Sequence, residues 1–162
     1  SAKHLLKNSK KLIILKAFTK LYGMAGVRLG CCLCSDTELL ARMRAAGQPW
    51  AVSGLAQAAG IAALDETEYV AKVRALIEAQ RPVLADGLRA LGLRVIEGRA
   101  NYLLFRAPEA LGEALRRKGA VLRSCGNYPG LDASWYRTAV RTENENRQLL
   151  ALLAETLPEV AQ

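Results

Sequence analysis

The sequence has no apolar run long enough to span a bilayer, no low-complexity tract, a single histidine and few aromatics. Each shortage closes a class of function. Without about 18 or more consecutive apolar residues no transmembrane helix is expected, and no secretory leader is recognisable at the start. The chain therefore reads as cytoplasmic. With 51% hydrophobic and 23% charged residues and no biased segment, it reads as globular rather than disordered. His4 and the four cysteines, Cys31, Cys32, Cys34 and Cys125, do not form the paired C-x-x-C or Cys/His sets that zinc requires, so no metal site is expected. Cys-Cys-x-Cys inside an apolar run reads instead as buried reduced thiols on a packed strand.

What is present is positive charge, +8 over 162 residues with a pI near 9.6. The length suits one ordinary domain or two small lobes that share a helix, and it can bury a core without metal or disulfides. Clustered Lys and Arg suggest phosphate-backbone binding. The distribution argues otherwise, because the lysines crowd the first twenty residues while the arginines are scattered among acidic residues, and no aromatic-rich basic stripe is evident. Anionic small molecules are the expected partners, with no nucleic acid and no membrane among them; nucleic-acid binding is kept only as a minor alternative.

Hydrophobic periodicity divides the chain in two. Leu12–Leu15 reads as a short, fully buried strand of parallel-sheet type, and Val27–Leu33 as a second. Ser35, Asp36 and Thr37 offer caps for a helix that ends near Gly47 and Pro49, and a small-residue helix follows over about 53–63. A long helical pattern covers 65–91, with Pro82 expected to bend or break it. Beyond it, LRVIEG, NYLLFRAP, AVLRSCG and WYRTAVRT read as strands, and PEALGEALRRKG and ENENRQLLALLAETL as helices. The order is β-β-α-β-β-α, a small α+β lobe after a piece of an α/β lobe.

Between the two early strands lies KAFTKLYGMAGVRLG. Lys20 at the end of a buried strand would be costly unless it had a task, and only a neutral amine attacks a carbonyl. Arg28 offers a forked, permanently charged donor for a phosphate, Thr19 a hydroxyl, and Gly23 and Gly26 a backbone that can pass close to a ligand. An imine-forming lysine and a phosphate-clamping arginine together suggest pyridoxal phosphate.

FTKLYGMAGVRLG resembles the cofactor-lysine segment of the fold type I pyridoxal-phosphate enzymes, in the aminotransferase class I and II family. The resemblance implies that Lys20 takes the cofactor covalently and moves the substrate's α-proton, and that Arg28, eight residues on, holds the phosphate. Ala17 departs from the pattern, standing where many relatives carry a phosphate-binding serine. Cys31 stands where relatives often have an aromatic. GAVLRSCGNYPGLDASWYRTAVRTENENRQLLALL resembles the end of histidinol-phosphate aminotransferases and threonine-phosphate decarboxylases, which implies that Arg123 and Arg137 bind an anionic substrate group. Arg141 is a further candidate, on the strand face of Ala139 and Arg137, against a surface salt bridge as the alternative. Asn101 opens a strand that resembles the family's ANYLLFR segment, and a strand-end hydrogen bond is its expected use.

The resemblance covers only the back half of a family member. It implies a fragment of the large cofactor domain at 1–64, a linking helix at 65–91 and a small C-terminal α+β domain at 92–162, with a homodimer when full length. The expected function is a pyridoxal-phosphate-dependent aminotransferase of the histidinol-phosphate type. The alternatives are a threonine-phosphate decarboxylase and a non-catalytic interaction module. The groups for the pyridine ring, its nitrogen and its hydroxyl have no matching motif, so the fragment alone is expected to be inactive.

Overall fold

The structure is a computed structural model that describes residues 2–160. The chain divides into two compact units, 1–71 and 72–162.

The first unit opens with a 3-10 helix, Ala2–Asn8. Strands β1 (Ile13–Ala17) and β2 (Gly30–Cys34) then pair antiparallel, from Ile13 opposite Cys34 to Ala17 opposite Gly30. The apolar runs do form strands, but both begin later than their patterns suggest, and neither is buried. Leu15 is 79% exposed, Cys31 is exposed and Cys32 and Cys34 are half-buried, leaving Cys125 as the one buried thiol. An aliphatic run reports that a segment is apolar on both faces; it says nothing of strand direction or of what lies against those faces.

Helix α1 (Thr37–Ala46) starts where the Asp36 carboxylate accepts from the Leu39 N–H at 2.9 Å. Helix α2 (Gly54–Asp65) starts likewise at Ser53, whose hydroxyl accepts from the Ala56 N–H at 3.2 Å. No charged residue precedes Asp65 in α2. Ala56, Gly60 and Ala63 face inward, while Leu55, Ile61 and Leu64 are exposed. A helix apolar on all sides is the kind that larger cores enclose.

Helix α3 (Thr67–Ala90) continues through Pro82 without a break. Proline removes one backbone hydrogen bond, and burial of Leu84 and Leu88 just beyond it holds the next turns in place. The second unit is built on an antiparallel sheet of β3 (Arg94–Ile96), β4 (Tyr102–Arg106), β5 (Arg123–Ser124) and β6 (Trp135–Ala139), ordered β3-β4-β6-β5. The AVLRSCG segment contributes only two ladder residues. The chain turns at Gly126, where a side chain would press on the backbone of Ala133.

One face of this sheet carries Leu103, Phe105, Tyr136 and Thr138, all buried. Leu84 and Leu88 of α3, Leu111 and Leu115 of α4 (Leu111–Arg117) and Leu153 of α5 (Glu143–Val160) belong to the same buried cluster. Period-two alternation puts Phe105 and Tyr136 opposite each other on that face, with ring centroids 6.1 Å apart. The Tyr136 hydroxyl donates to the Glu109 carbonyl at 2.6 Å and accepts from the Gly112 N–H at 3.2 Å, anchoring the start of α4. Arg81 donates to the carbonyls of Arg99 and Ala100, and Arg89 bridges Asp86 and Glu97, so two arginines staple the β3-β4 hairpin to α3.

The entry to α5 is a capping box. The Thr142 N–H and hydroxyl donate to Glu145 Oε2 at 3.2 and 2.7 Å, and the Glu145 N–H returns to the hydroxyl at 3.4 Å. The Thr142 hydroxyl first, and the Arg141 guanidinium second, hold the Glu145 carboxyl below its usual range.

Phe105→Ala is expected to destabilise the second unit by about 3–5 kcal/mol, measured by chemical denaturation of the chain. Because the Glu145 carboxyl is more acidic folded than unfolded, its stabilisation is complete above the ordinary carboxylate range and is lost as pH falls through the folded value. Denaturation midpoints of wild type and Glu145→Gln followed downward in pH should therefore converge in the acid range.

Candidate functional site

Residues 18–29 form the loop between β1 and β2, and two turns within it carry the candidate groups. The Phe18 N–H donates to the Leu29 carbonyl at 3.1 Å and closes the loop one step beyond the ladder. The first turn holds Thr19 and Lys20. It is tied by the Tyr22 N–H to the Phe18 carbonyl at 3.3 Å and by the Gly23 N–H to the Lys20 carbonyl at 3.4 Å. Phe18 and Tyr22 stack across it with centroids 5.2 Å apart, and Gly23 leaves it at φ +66°. The i, i+4 spacing of the aromatics in FTKLY was the available signal for that stack.

Lys20 is exposed on this turn, past the end of β1, and its side chain has no hydrogen-bond or ion-pair partner among the described residues. Burial at a strand end, the sequence-based reason for an activated amine, is thus absent in this chain. The cause is plain: β1 ends at Ala17, three residues before the lysine, and no residue of the two-stranded sheet is fully buried.

Arg28 lies on the second turn at φ +57°, a left-handed conformation that costs a non-glycine residue of the order of 1 kcal/mol or more. Its guanidinium makes one long contact, Nη1 to the Ala25 carbonyl at 3.5 Å, and is otherwise open to solvent. Leu29, next in the chain, packs against Gly60 of α2 so closely that any β-carbon at Gly60 would overlap its side chain. The residue after the strained turn therefore packs its side-chain end against a helix. Gly60 carries no signal of this role in the sequence, because its partner is thirty-one residues away.

The second unit gathers a different set. Antiparallel pairing places Arg123 directly opposite Arg137 and Arg94 directly opposite Arg106. With Tyr102 and Trp135 these lie on the sheet face opposite the core, because Tyr136, Thr138, Leu103 and Phe105 occupy the inner face. The basic face with aromatics that no linear stretch contains is assembled across four strands. Arg137 sits over the Tyr102 ring at 4.6 Å and Arg94 over Trp135 at 5.7 Å. Arg106 Nε donates to the Ser134 hydroxyl at 2.9 Å and its Nη2 lies 3.8 Å from Asp132.

Arg141 does not join this face. β6 ends at Ala139, and the Arg141 guanidinium pairs with Glu145 at 2.6 Å. Its backbone is clamped by buried Asn146, whose amide accepts from the Arg141 N–H and donates to the Arg141 carbonyl. The surface salt bridge is the arrangement present. The Asn101 backbone carbonyl accepts from the Val140 N–H at 2.9 Å, a bond that does not use its side chain.

With the lysine and arginine on one loop and an arginine pair on the small sheet, the sequence model of the aminotransferase class I and II family matches residues 1–153. The chain belongs to this family. It is 37% identical over 160 residues to threonine-phosphate decarboxylase of Salmonella typhimurium, covering 96% of this chain and 44% of that one. It is 38% identical over 158 residues to histidinol-phosphate aminotransferase of Symbiobacterium thermophilum, covering 96% and 43%. The crystal structure of histidinol-phosphate aminotransferase from Clostridium acetobutylicum superposes at a TM-score of 0.92 with 30% identity, covering 98% of this chain and 49% of that one. The chain thus spans less than half the length of these family members.

Among the described residues no three His, Cys, Asp or Glu side chains are placed to hold a metal, and no helix is long and apolar enough to cross a membrane. In this chain the Leu29–Gly60 contact lies one residue from Arg28. Gly60→Ala should release the turn, and amide exchange at Phe18, whose N–H is held by Leu29, should accelerate by at least tenfold. Unchanged protection at Phe18 would mean that the loop is held by other contacts.

Proposed function

We propose that this chain is the lysine- and arginine-bearing part of a pyridoxal-phosphate-dependent aminotransferase of the histidinol-phosphate type. The observation that carries the reading is the loop at 18–29, which in a member of the aminotransferase class I and II family presents Lys20 and Arg28 from two adjoining turns. In the same reading residues 1–64 are the end of the large cofactor domain, 65–91 the linking helix and 92–162 the small domain. The full protein acts in the cytoplasm as a homodimer, on an amino compound that carries phosphate or carboxylate.

The residues fit the cofactor. Arg28 is held at φ +57° with only one long contact of its own, which leaves its forked donors directed at no protein carboxylate. Lys20 would hold pyridoxal phosphate through its amine, and Arg28 with the Thr19 hydroxyl would hold the phosphate. When bound, the cofactor supplies a carbonyl carbon for amine capture and a ring that takes up electron density from the substrate's α-carbon. Lys20 would take and return the substrate's α-proton, and its exposed turn leaves it room to move. Arg123 and Arg137 bind the substrate's anionic group and fix its orientation.

A second reading, threonine-phosphate decarboxylase, draws on the 37% identity to the Salmonella typhimurium enzyme. Arg141, the further candidate for the substrate's anionic group, is engaged by the ion pair with Glu145.

The test uses the full-length protein. Wild type is expected to show the visible absorbance of lysine-bound pyridoxal phosphate and to exchange amino groups between glutamate and an oxo acid. Lys20→Ala should lose the absorbance and at least a thousandfold in rate. Carbon dioxide release from threonine phosphate without amino exchange would select the decarboxylase. Unchanged biological activity in Lys20→Ala would overturn both enzymatic readings in favour of an interaction module.

A further inference from the structure

We propose that Tyr102 is a positioning residue for Arg137, and through it for the anionic group of the substrate; the inference rests on the assignment of Arg137 as a substrate-binding residue. Arg123 and Arg137 face each other across β5 and β6. Side chains directly opposite in an antiparallel pair are near neighbours, and two like charges there repel. Other arginines of the second unit meet a carboxylate: Arg106 has Asp132, Arg89 has Asp86 and Glu97, and Arg141 has Glu145. Arg123 and Arg137 have none within ion-pair distance among the described residues.

Arg137 has an aromatic face instead. Tyr102 pairs with Ala139 and Arg137 with Leu104, so the two side chains are diagonal neighbours on adjoining strands, and the guanidinium lies 4.6 Å from the ring centroid. The difference in contact type matters chemically. A carboxylate engages the in-plane N–H donors of a guanidinium, whereas an aromatic ring engages its flat face and leaves the in-plane donors available to a third group. The ring contact thus restricts where Arg137 lies without neutralising it. The residual repulsion from Arg123 is relieved when an anion enters between them, and the orientation set by Tyr102 determines where that anion sits.

Arg94 over Trp135 shows the contrast on the same face. There the opposing arginine, Arg106, is already compensated by Asp132, and the stacking distance is longer at 5.7 Å. Only the Arg123–Arg137 pair combines two uncompensated cations with a close ring.

The experiment measures binding of inorganic phosphate by calorimetry to the 162-residue chain and to Arg137→Ala, Tyr102→Phe and Tyr102→Leu, together with the Arg137 Nε–H signal by NMR. Tyr102→Phe, which keeps the ring, should bind as wild type does. Tyr102→Leu should bind roughly two- to fivefold more weakly. The ring-current displacement of the Arg137 signal should survive in Tyr102→Phe and vanish in Tyr102→Leu. If wild type and Arg137→Ala bind phosphate equally, or neither binds it, the substrate-site assignment itself fails. If Arg137→Ala loses binding while Tyr102→Leu retains it, or if the wild-type Arg137 signal carries no ring-current displacement, the positioning role is overturned and the site remains. Weakening by Tyr102→Phe equal to that of Tyr102→Leu would assign the effect to the hydroxyl and also overturn it.

Discussion

A loop as long as the one joining β1 to β2 has many shapes open to it, and its use depends on holding one. Two contacts at Leu29 do this: its carbonyl accepts from Phe18 to close the loop, and its side chain occupies the space that Gly60 leaves vacant on α2. The left-handed backbone at Arg28 immediately precedes this anchor, so packing at one residue supports strain at the next. Everything proposed for Lys20 and Arg28 follows from that fixed loop, since a cofactor held at two points demands that the two points keep their spacing.

The second unit meets a different constraint, the cost of placing like charges on one sheet. Its inner face buries Phe105, Tyr136 and Leu103 among the leucines of α3, α4 and α5, and that burial sets the register of the sheet. Once the register is set, alternation sends every second residue to the other face and brings Arg94, Arg106, Arg123 and Arg137 together there. The fold then treats its two arginine pairs differently. Arg106 meets an acid, while Arg137 meets a ring and keeps its charge available.

The two units also differ in how complete their surfaces are. Around α2 and β1 the chain displays Trp50, Leu55, Leu15, Ile61 and Leu64 at more than half exposure. The second unit instead holds a continuous buried cluster, with surface ion pairs such as those of Lys118 with Glu155 and Glu159. The two relatives compared are more than twice the length of this chain.

By itself the sequence determined the helices, the cap region around Asp36, the order of elements after α3 and the family, because these rest on local periodicity and on residues a fixed number apart. The short spacing from Lys20 to Arg28 is such a signal. Tertiary structure alone decided the rest. The direction and exposure of β1 and β2, the diversion of Arg141 to Glu145, the ring beneath Arg137 and the anchor at Gly60 all depend on partners distant in the chain. A residue's type limits the contacts it is able to make, but which contact it makes is set by what the folded chain brings within a few ångströms.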